Sequence, residues 1–277
     1  VSNRISIQGN EGSFHHVAAD HFFQNDLIAV PCSTFRELIK NASNPNLADG
    51  GVIAIENSIA GSILPNYGLV LNSDLTIIGE IYLSISLNLL VYPGVQLSDI
   101  KEVHSHPIAL LQCMAFLEQH PEWKLVETED TAFSARQVSE QKLKHTAAVA
   151  GKQAAELFKL NIAEADVQTG KKSFTRFLVL SNSSKNNPLQ HYNKASVYFQ
   201  TNHTQGSLVA ILIRIAACGI NLSKLQSVPI PGTEWQYGFH VDMEFSSPDQ
   251  FIEVERELKR MTEVLKVLGV YQKGYTV

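Results

Sequence analysis

Thr175 and Arg176 stand side by side in FTRFLVLS (174–181), a run that reads as a strand. Alternation then gives Thr175 and Phe177 one face and Arg176 the other. The pair offers a hydroxyl and a cation, and it is equally at home in a purely structural strand. Glu56-Asn57-Ser58 closes a buried run, GGVIAIENS (50–58), and Ala60-Gly61-Ser62 follows. Hydrogen-bonding side chains at a strand end suit a polar ligand, or else an Asn/Ser turn with a helix cap. Gly9 and Gly12 lead into Ser13 at G-x-x-G spacing, which is neither a dinucleotide fingerprint nor a Walker loop. Amides at that helix start, with the Ser13 hydroxyl, can hold a carboxylate; a plain strand–helix turn needs the same glycines. In His104-Ser105-His106-Pro107 the two histidines share a strand face, but no third ligand stands at useful spacing for a metal. The alternative is His106 with backbone amides at a helix start, Pro107 in the first turn. No Gly-x-Ser-x-Gly elbow is present, and nothing supports a Ser-His-Asp or Cys-His nucleophile.

These stretches need elements to position them. RISIQG (4–9), GSFHHVAADHFFQ (12–24), LIAVPC, STFRELIKNA and GGVIAIENS alternate strand and helix signals, with Ser13 as an N-cap. This is βαβαβ logic, implying a mostly parallel sheet. LTIIGEIYLSISLNLLVYP then offers two extended runs nearly end to end. A second series follows: KEVHSH, helix 107–119, WKLVE, helix 131–142, TAAVA and helix 151–160, before the strand 174–181. Two α/β series joined by long strands suggest two lobes with a cleft where strand ends meet helix starts. SNSSKNNPLQHYN (181–193), with Pro188, reads as a linker. Residues 194–277 read βαββαβ, a ferredoxin-like order, and their last strand is LKVLGVYQKGYTV.

The 277 residues are comfortable for two domains, and 44% hydrophobic with 18% charged excludes a disordered or fibrous chain. A net charge of −5 invites no nucleic acid. Leu75 to Val95 is the most apolar stretch, yet it carries Glu80 and Asn88 and alternates like strands, so no membrane span is expected. VSNRISIQG has no apolar signal region, and Cys32, Cys113 and Cys218 form no CxxC pair. A cytoplasmic protein with free thiols is the expectation.

Taken together, G-N-E-G-S-F (9–14), I-E-N-S-I-A-G-S (55–62), H-P-I-A-L-L-Q-C (106–113), D-T-A-F-S-A (130–135), T-R-F (175–177) and G-I-N-L (219–222) stand in an order that resembles the prephenate dehydratase family with a C-terminal ACT domain. The resemblance implies an α/β, two-lobed, periplasmic-binding-protein-like catalytic domain over 1–182, its second lobe about 84–165. It further implies a linker at 183–193 and a ferredoxin-like ACT regulatory domain at 194–277. No chorismate-mutase segment precedes Arg4, which reads as the monofunctional form. Asn10 and Ser13 stand where the family commonly has Pro and Thr, His15 where it often has Ser, and Ala54 where Pro is usual. Gln226-Ser227-Val228-Pro229 replaces the common Glu-Ser-Arg-Pro.

The implied reaction turns prephenate into phenylpyruvate by losing carbon dioxide and the ring hydroxyl. Aromatisation drives it, so no cofactor or metal is expected; the main need is a donor to the departing hydroxide. By resemblance that donor is Thr175, with Phe177 beside it. Arg176 either holds a carboxylate across a bend or braces the lobe. Ser13, Asn57 and Ser58, with Glu56 and Gly61 of the same motif, are expected to bind substrate, and His106 and Gln112 to shape the cleft. L-Phenylalanine is the expected effector, held by Gly206, Ser207 and Leu208 with Asn221, Leu222 and Gln226. Helix 207–218 is apolar nearly all round, and a homodimer or homotetramer is expected to cover it. The alternative is a non-catalytic two-lobed binding or sensor protein with the same amino-acid-binding domain.

Overall fold

The computed structural model describes residues 2–24, 26–170, 172–183 and 192–277, so most of the expected linker (184–191, with Pro188) lies outside the described residues. The chain opens with β1 (Asn3–Gln8), α1 (Phe14–Phe23), β2 (Leu27–Cys32), α2 (Phe35–Ala42), β3 (Gly50–Asn57), the two-residue β4 (Gly61–Ser62), α3 (Leu64–Leu71) and β5 (Thr76–Ile85). It continues as β6 (Asn88–Val91), β7 (Glu102–Ser105), α4 (Pro107–Gln112), α5 (Met114–Leu117), β8 (Lys124–Glu127), α6 (Thr131–Glu140), β9 (Thr146–Ala150), α7 (Lys152–Phe158) and β10 (Asn161–Glu164). β11 (Ser173–Ser181) follows, then β12 (Lys194–Gln200), α8 (Ser207–Ala217), β13 (Asn221–Pro229), β14 (Tyr237–Glu244), α9 (Pro248–Met261) and β15 (Val264–Tyr271).

Three sheets result. The first has the order β2-β1-β3-β11-β5, with β4 on β3; the second is β10-β6-β9-β7-β8; the third is β13-β14-β12-β15. In the first sheet β11 runs antiparallel to both its neighbours, while β1 is parallel to β2 and β3. In the second sheet β6 is the strand that opposes both its neighbours, and β7 is parallel to β8 and β9. Each reversed strand follows directly on a crossing between the sheets. The chain enters the second sheet between β5 and β6 and returns between β10 and β11. The two crossings are tied together: Val167 N donates to Leu87 O and Leu87 N to Gln168 Oε1, both at 2.8 Å.

Local sequence explains where elements stop. The expected helix 107–119 divides at Cys113 into α4 and α5. The short polar strand β10 had no legible signal. The last strand ends at Tyr271; the tail beyond it leaves the third sheet and runs along β5, with Val277 N donating to Tyr82 O at 2.9 Å and Ser84 N to Val277 O at 2.7 Å. Among the described residues no helix is long and apolar enough to cross a membrane.

The third sheet packs α8 and α9 on one face and the first sheet on the other, where Tyr198, Leu268 and Tyr271 meet Ile53, Ile55, Leu178 and Leu180. Contact is close: a Cβ at Gly269 would strike the carbonyl oxygen of Ile77. Within this apolar seam lies a buried ion network. Glu80 on β5, 1% exposed, accepts from Arg176 Nε at 2.7 Å and from Lys194 Nζ at 2.9 Å. Arg176 also pairs with Asp242, and Asp242 accepts from Ser196 Oγ at 2.6 Å. Burial works against the Arg176 charge; Asp242 and Glu80 outweigh it and hold the guanidinium protonated. Burial likewise opposes the Asp242 carboxylate, and Arg176 outweighs it, leaving that group below its ordinary range.

Glu80→Gln removes the charge that Lys194 and Arg176 share. Breaking a buried pair from one side typically costs about 3–5 kcal/mol, and denaturant unfolding should show a loss of that size. A loss below about 1 kcal/mol would mean that water, not Glu80, compensates the two cations.

Candidate active site

A cavity of about 410 Å³ opens between the first and second sheets. Ser13, His15, Asn57, Thr175 and Phe177 line it from one side, and His106, Gln112 and Asp130 from the other. Phe14, Phe35, Ile63, Leu87 and Ile108 supply apolar walls that fit a ring.

Asn57 organises the polar end. Its Oδ1 accepts from Ile59 N and Ala60 N, both at 2.9 Å, so Nδ2 must face the other way. Nδ2 donates to Thr175 Oγ1 at 3.0 Å and to Ser173 Oγ at 3.2 Å. Thr175 Oγ1 is therefore an acceptor toward Asn57, and its own proton is free to be given to the cleft. Ser13 caps α1: Oγ accepts from His16 N and donates to Gln8 O, each at 3.3 Å. His106 caps α4, with Nδ1 accepting from Ile108 N at 3.2 Å, which leaves the neutral ring's proton on Nε2. Burial pulls its pKa down, while Asp130 and Glu127 oppose that pull. Gln112 ends α4, and its carbonyl accepts from Thr169 N at 2.8 Å.

Other expected site residues are not brought to the cavity wall. Arg176 lies on the opposite face of β11, in the ion network against the third sheet. Of the two alternatives left to it, this geometry is the brace. Glu56 also turns away from the cavity and pairs with Lys224 at 2.6 Å. Ser58 is spent closing the end of β3 against β11: its N donates to Phe174 O at 2.8 Å, and Oγ accepts from Phe174 N at 2.9 Å. Gly61 sits at φ +82° in β4, where glycine is at ease, and a Cβ there would meet open space. Gly206, Ser207 and Leu208 open α8, whereas Asn221 and Leu222 open β13 beyond its other end. An 11-residue helix separates the two groups by about 16 Å within one chain. Gln226 lies along β13, paired in register with His240, and Nε2 donates to Ser227 O at 2.9 Å.

Among the titratable residues of the cavity wall, the motif readings missed His15, Glu129 and Asp130. His15 departs from the common pattern, and the pair His15-His16 reads only as a helical pair of which one member packs; His15 is the buried one. Asp130 opens the D-T-A-F-S-A stretch and caps α6, accepting from Phe133 N at 3.1 Å, but its place on the cleft wall had no signal. Burial pushes its carboxyl pKa up. Among the described residues no group of three His, Cys, Asp or Glu side chains could hold a metal ion.

The sequence profile of prephenate dehydratase matches residues 5–185. The chain belongs to the prephenate dehydratase family. It is 33% identical over 278 residues to a bifunctional chorismate mutase/prephenate dehydratase of Escherichia coli K12, covering 98% of this chain and 71% of that one. The structure of prephenate dehydratase from Arthrobacter aurescens in complex with L-Phe superposes with a TM-score of 0.84 at 26% identity, covering 97% and 90% of the two chains. A structure described as GqqA, a novel type of quorum quenching acylase, superposes with a TM-score of 0.85 at 28% identity, covering 98% of each. The mixed α/β fold of this family member therefore matches prephenate dehydratase structures.

Two neutral, buried histidines, one in the cleft and one between the first and third sheets, make this prephenate dehydratase family member acid-sensitive. Burial pulls the pKa of His15 down to about 3 and that of His240, wedged between Tyr67 and Tyr198, to about 4. Unfolded, each takes a proton near pH 6.5; folded, neither does until far lower. Stability is then full above about pH 6.5 and falls as pH drops from there toward 4, by on the order of 1 kcal/mol per pH unit for each ring. Tm measured from pH 7 to pH 5 should fall, and His240→Phe should flatten the slope. A Tm independent of pH across that window would contradict this.

Proposed function

We propose that this protein is a prephenate dehydratase. The observation that carries the reading is Thr175 in the cleft, turned by Asn57 so that its proton is available. In the reaction the bond from the ring to its carboxyl group breaks and carbon dioxide leaves. The electron pair enters the ring, and the hydroxyl at the far carbon departs as hydroxide, which takes a proton from solvent to become water. Thr175 donates a hydrogen bond to that oxygen as charge develops on it, where a fixed donor in a dry site is most effective. The apolar walls orient the ring. His106 and Gln112 line the same cavity, and their N–H groups serve the substrate's carboxylate oxygens.

The first two sheets, crossed twice by the chain, form the two lobes of a periplasmic-binding-like catalytic unit over 1–182, with the paired crossings as hinge. Residues 194–277 form an ACT domain, reached through 183–193. Val209 and Ile213 on α8 are 58% and 64% exposed, an apolar face that suits a second copy in a homodimer or homotetramer. A second copy would also bring Asn221 toward the start of α8, completing a site for L-phenylalanine as effector. Gln226 and Val228 in place of a charged pair favour weaker effector binding or coupling than is usual. The three cysteines are free, in keeping with a cytoplasmic enzyme. An acylase would need an activated nucleophile. Among the described residues no hydroxyl of the cleft, Ser13, Thr131 or Thr175, is hydrogen-bonded to a histidine ring nitrogen that could take its proton: Ser13 Oγ donates to Gln8 O, and Thr175 Oγ1 meets only the Asn57 amide.

Purified protein mixed with prephenate should yield phenylpyruvate, read by its absorbance in base. Thr175→Val, nearly isosteric, should lower kcat about 10²–10³-fold with a smaller change in KM. Wild-type turnover in that variant would sink the assignment. Light scattering should find at least a dimer at micromolar concentration, and calorimetry should detect phenylalanine binding that weakens when prephenate is present. A monomer without heat or inhibition at millimolar phenylalanine would remove the regulatory part.

A further inference from the structure

His15 stands in the first turn of α1, buried, and lines the cleft with Thr175 and Phe177. Its ring is held edge-on to Phe177 at 5.0 Å between centroids and tilted against Phe35 at 5.6 Å. Nε2 lies 3.2 Å from the backbone N of Ala54. A backbone N–H can only donate, so Nε2 carries the lone pair and the neutral ring's proton sits on Nδ1. Burial keeps the ring neutral. Nδ1 has no hydrogen-bond partner among the described residues. The sealed polar side-chain atoms without a partner are Ser6 Oγ, Asn66 Oδ1, Tyr67 Oη and His240 Nε2, so His15 Nδ1 is not closed off. The ring thus offers one fixed, uncharged donor to the cavity it lines.

The lock depends on Ala54. Proline at that position would have no N–H to give, and Nε2 would be free to take the proton itself. Two departures from the common pattern, His15 and Ala54, are therefore one hydrogen-bonded unit, though 39 residues apart.

We propose that His15, held by Ala54, donates its Nδ1–H to a carboxylate or keto oxygen of the substrate and is a substrate-binding residue of this chain. This rests on the dehydratase reading. Binding through a neutral donor adds no fixed charge beside Thr175, and the aromatic clamp means that little rotamer freedom is lost on contact.

Long-range ¹⁵N–¹H correlation spectra of the histidine rings test the lock directly, with His15 assigned by its loss in His15→Phe. The expected form is the neutral Nδ1–H ring between about pH 5.5 and 8; an Nε2–H ring, or one that titrates there, overturns the proposal. On prephenate, His15→Phe and Ala54→Pro should each raise KM about 3- to 100-fold, the low end for a keto acceptor and the high end for a carboxylate, with kcat within about 2-fold. His15→Gln, which again offers an N–H, should recover part of the loss. Unchanged KM in Ala54→Pro and in whichever His15 variants fold overturns the assignment, and so does a loss confined to kcat. Wild-type protein inactive on prephenate overturns the functional reading, and the named acceptor with it. Active wild type with unchanged KM in the variants overturns only the role of His15.

Discussion

A guanidinium and an ammonium cannot be taken out of water without counter-charges. Arg176 and Lys194 meet that condition through Glu80 and Asp242, and the condition ties four strands of two sheets together. Glu80 comes from β5 and Arg176 from β11; Lys194 and Asp242 come from β12 and β14. Separating the first sheet from the third would strand four buried charges, so the two cannot drift apart at small cost. Tyr271, Ser196 and the Gly274 amide take up remaining hydrogen-bonding capacity. Such a network adds little net stability compared with apolar packing, but it punishes any other arrangement.

The same strand carries the cleft residues on its other face. Thr175 and Phe177 flank Arg176, and alternation sends them toward the cavity. The register of β11 is pinned twice: Arg176 must meet Glu80 and Asp242, and Thr175 must meet Asn57 Nδ2. A slip of one residue would put the hydroxyl in the ion network and the guanidinium in the cavity. The precision of the donor therefore has a source outside the cleft.

Much of this was legible in sequence where the signal is local. Period-two alternation separated Thr175 from Arg176, and the Ser13 cap and the place of His106 at a helix start follow from residue type and position. A motif, however, does not say which of its members face a ligand. Glu56 and Ser58 flank Asn57 in sequence, yet strand alternation sends Glu56 to Lys224, and the turn spends Ser58 on Phe174. Long-range pairings had no signal at all. Glu80 and Lys194 are 114 residues apart, and a glutamate in an apolar run reads only as an argument against a membrane span. The tail beyond Tyr271 continued a strand-like pattern, and only the open edge of β5 decides where it goes.

Charge placement in the cleft bears on how a dianion would be handled. Among the described residues the cavity wall carries Glu129 and Asp130 and neither lysine nor arginine. Arg176, on the strand that carries Thr175, is committed to Glu80 and Asp242, and Lys224 to Glu56. A carboxylate that must leave as carbon dioxide loses its charge in the reaction. A cation bound to it would stabilise the ground state more than the transition state and slow the step. A neutral donor aimed at the departing oxygen, the role proposed for Thr175, avoids that cost, because its interaction strengthens as charge grows on the oxygen and away from the carboxylate. The acidic pair works in the same direction by keeping ground-state attraction weak. Burial, which favours the protonated form of Asp130, limits the repulsion it adds. A cleft walled by apolar side chains and oriented dipoles is thus consistent with a reaction that converts a doubly charged reactant into a singly charged product and two neutral ones.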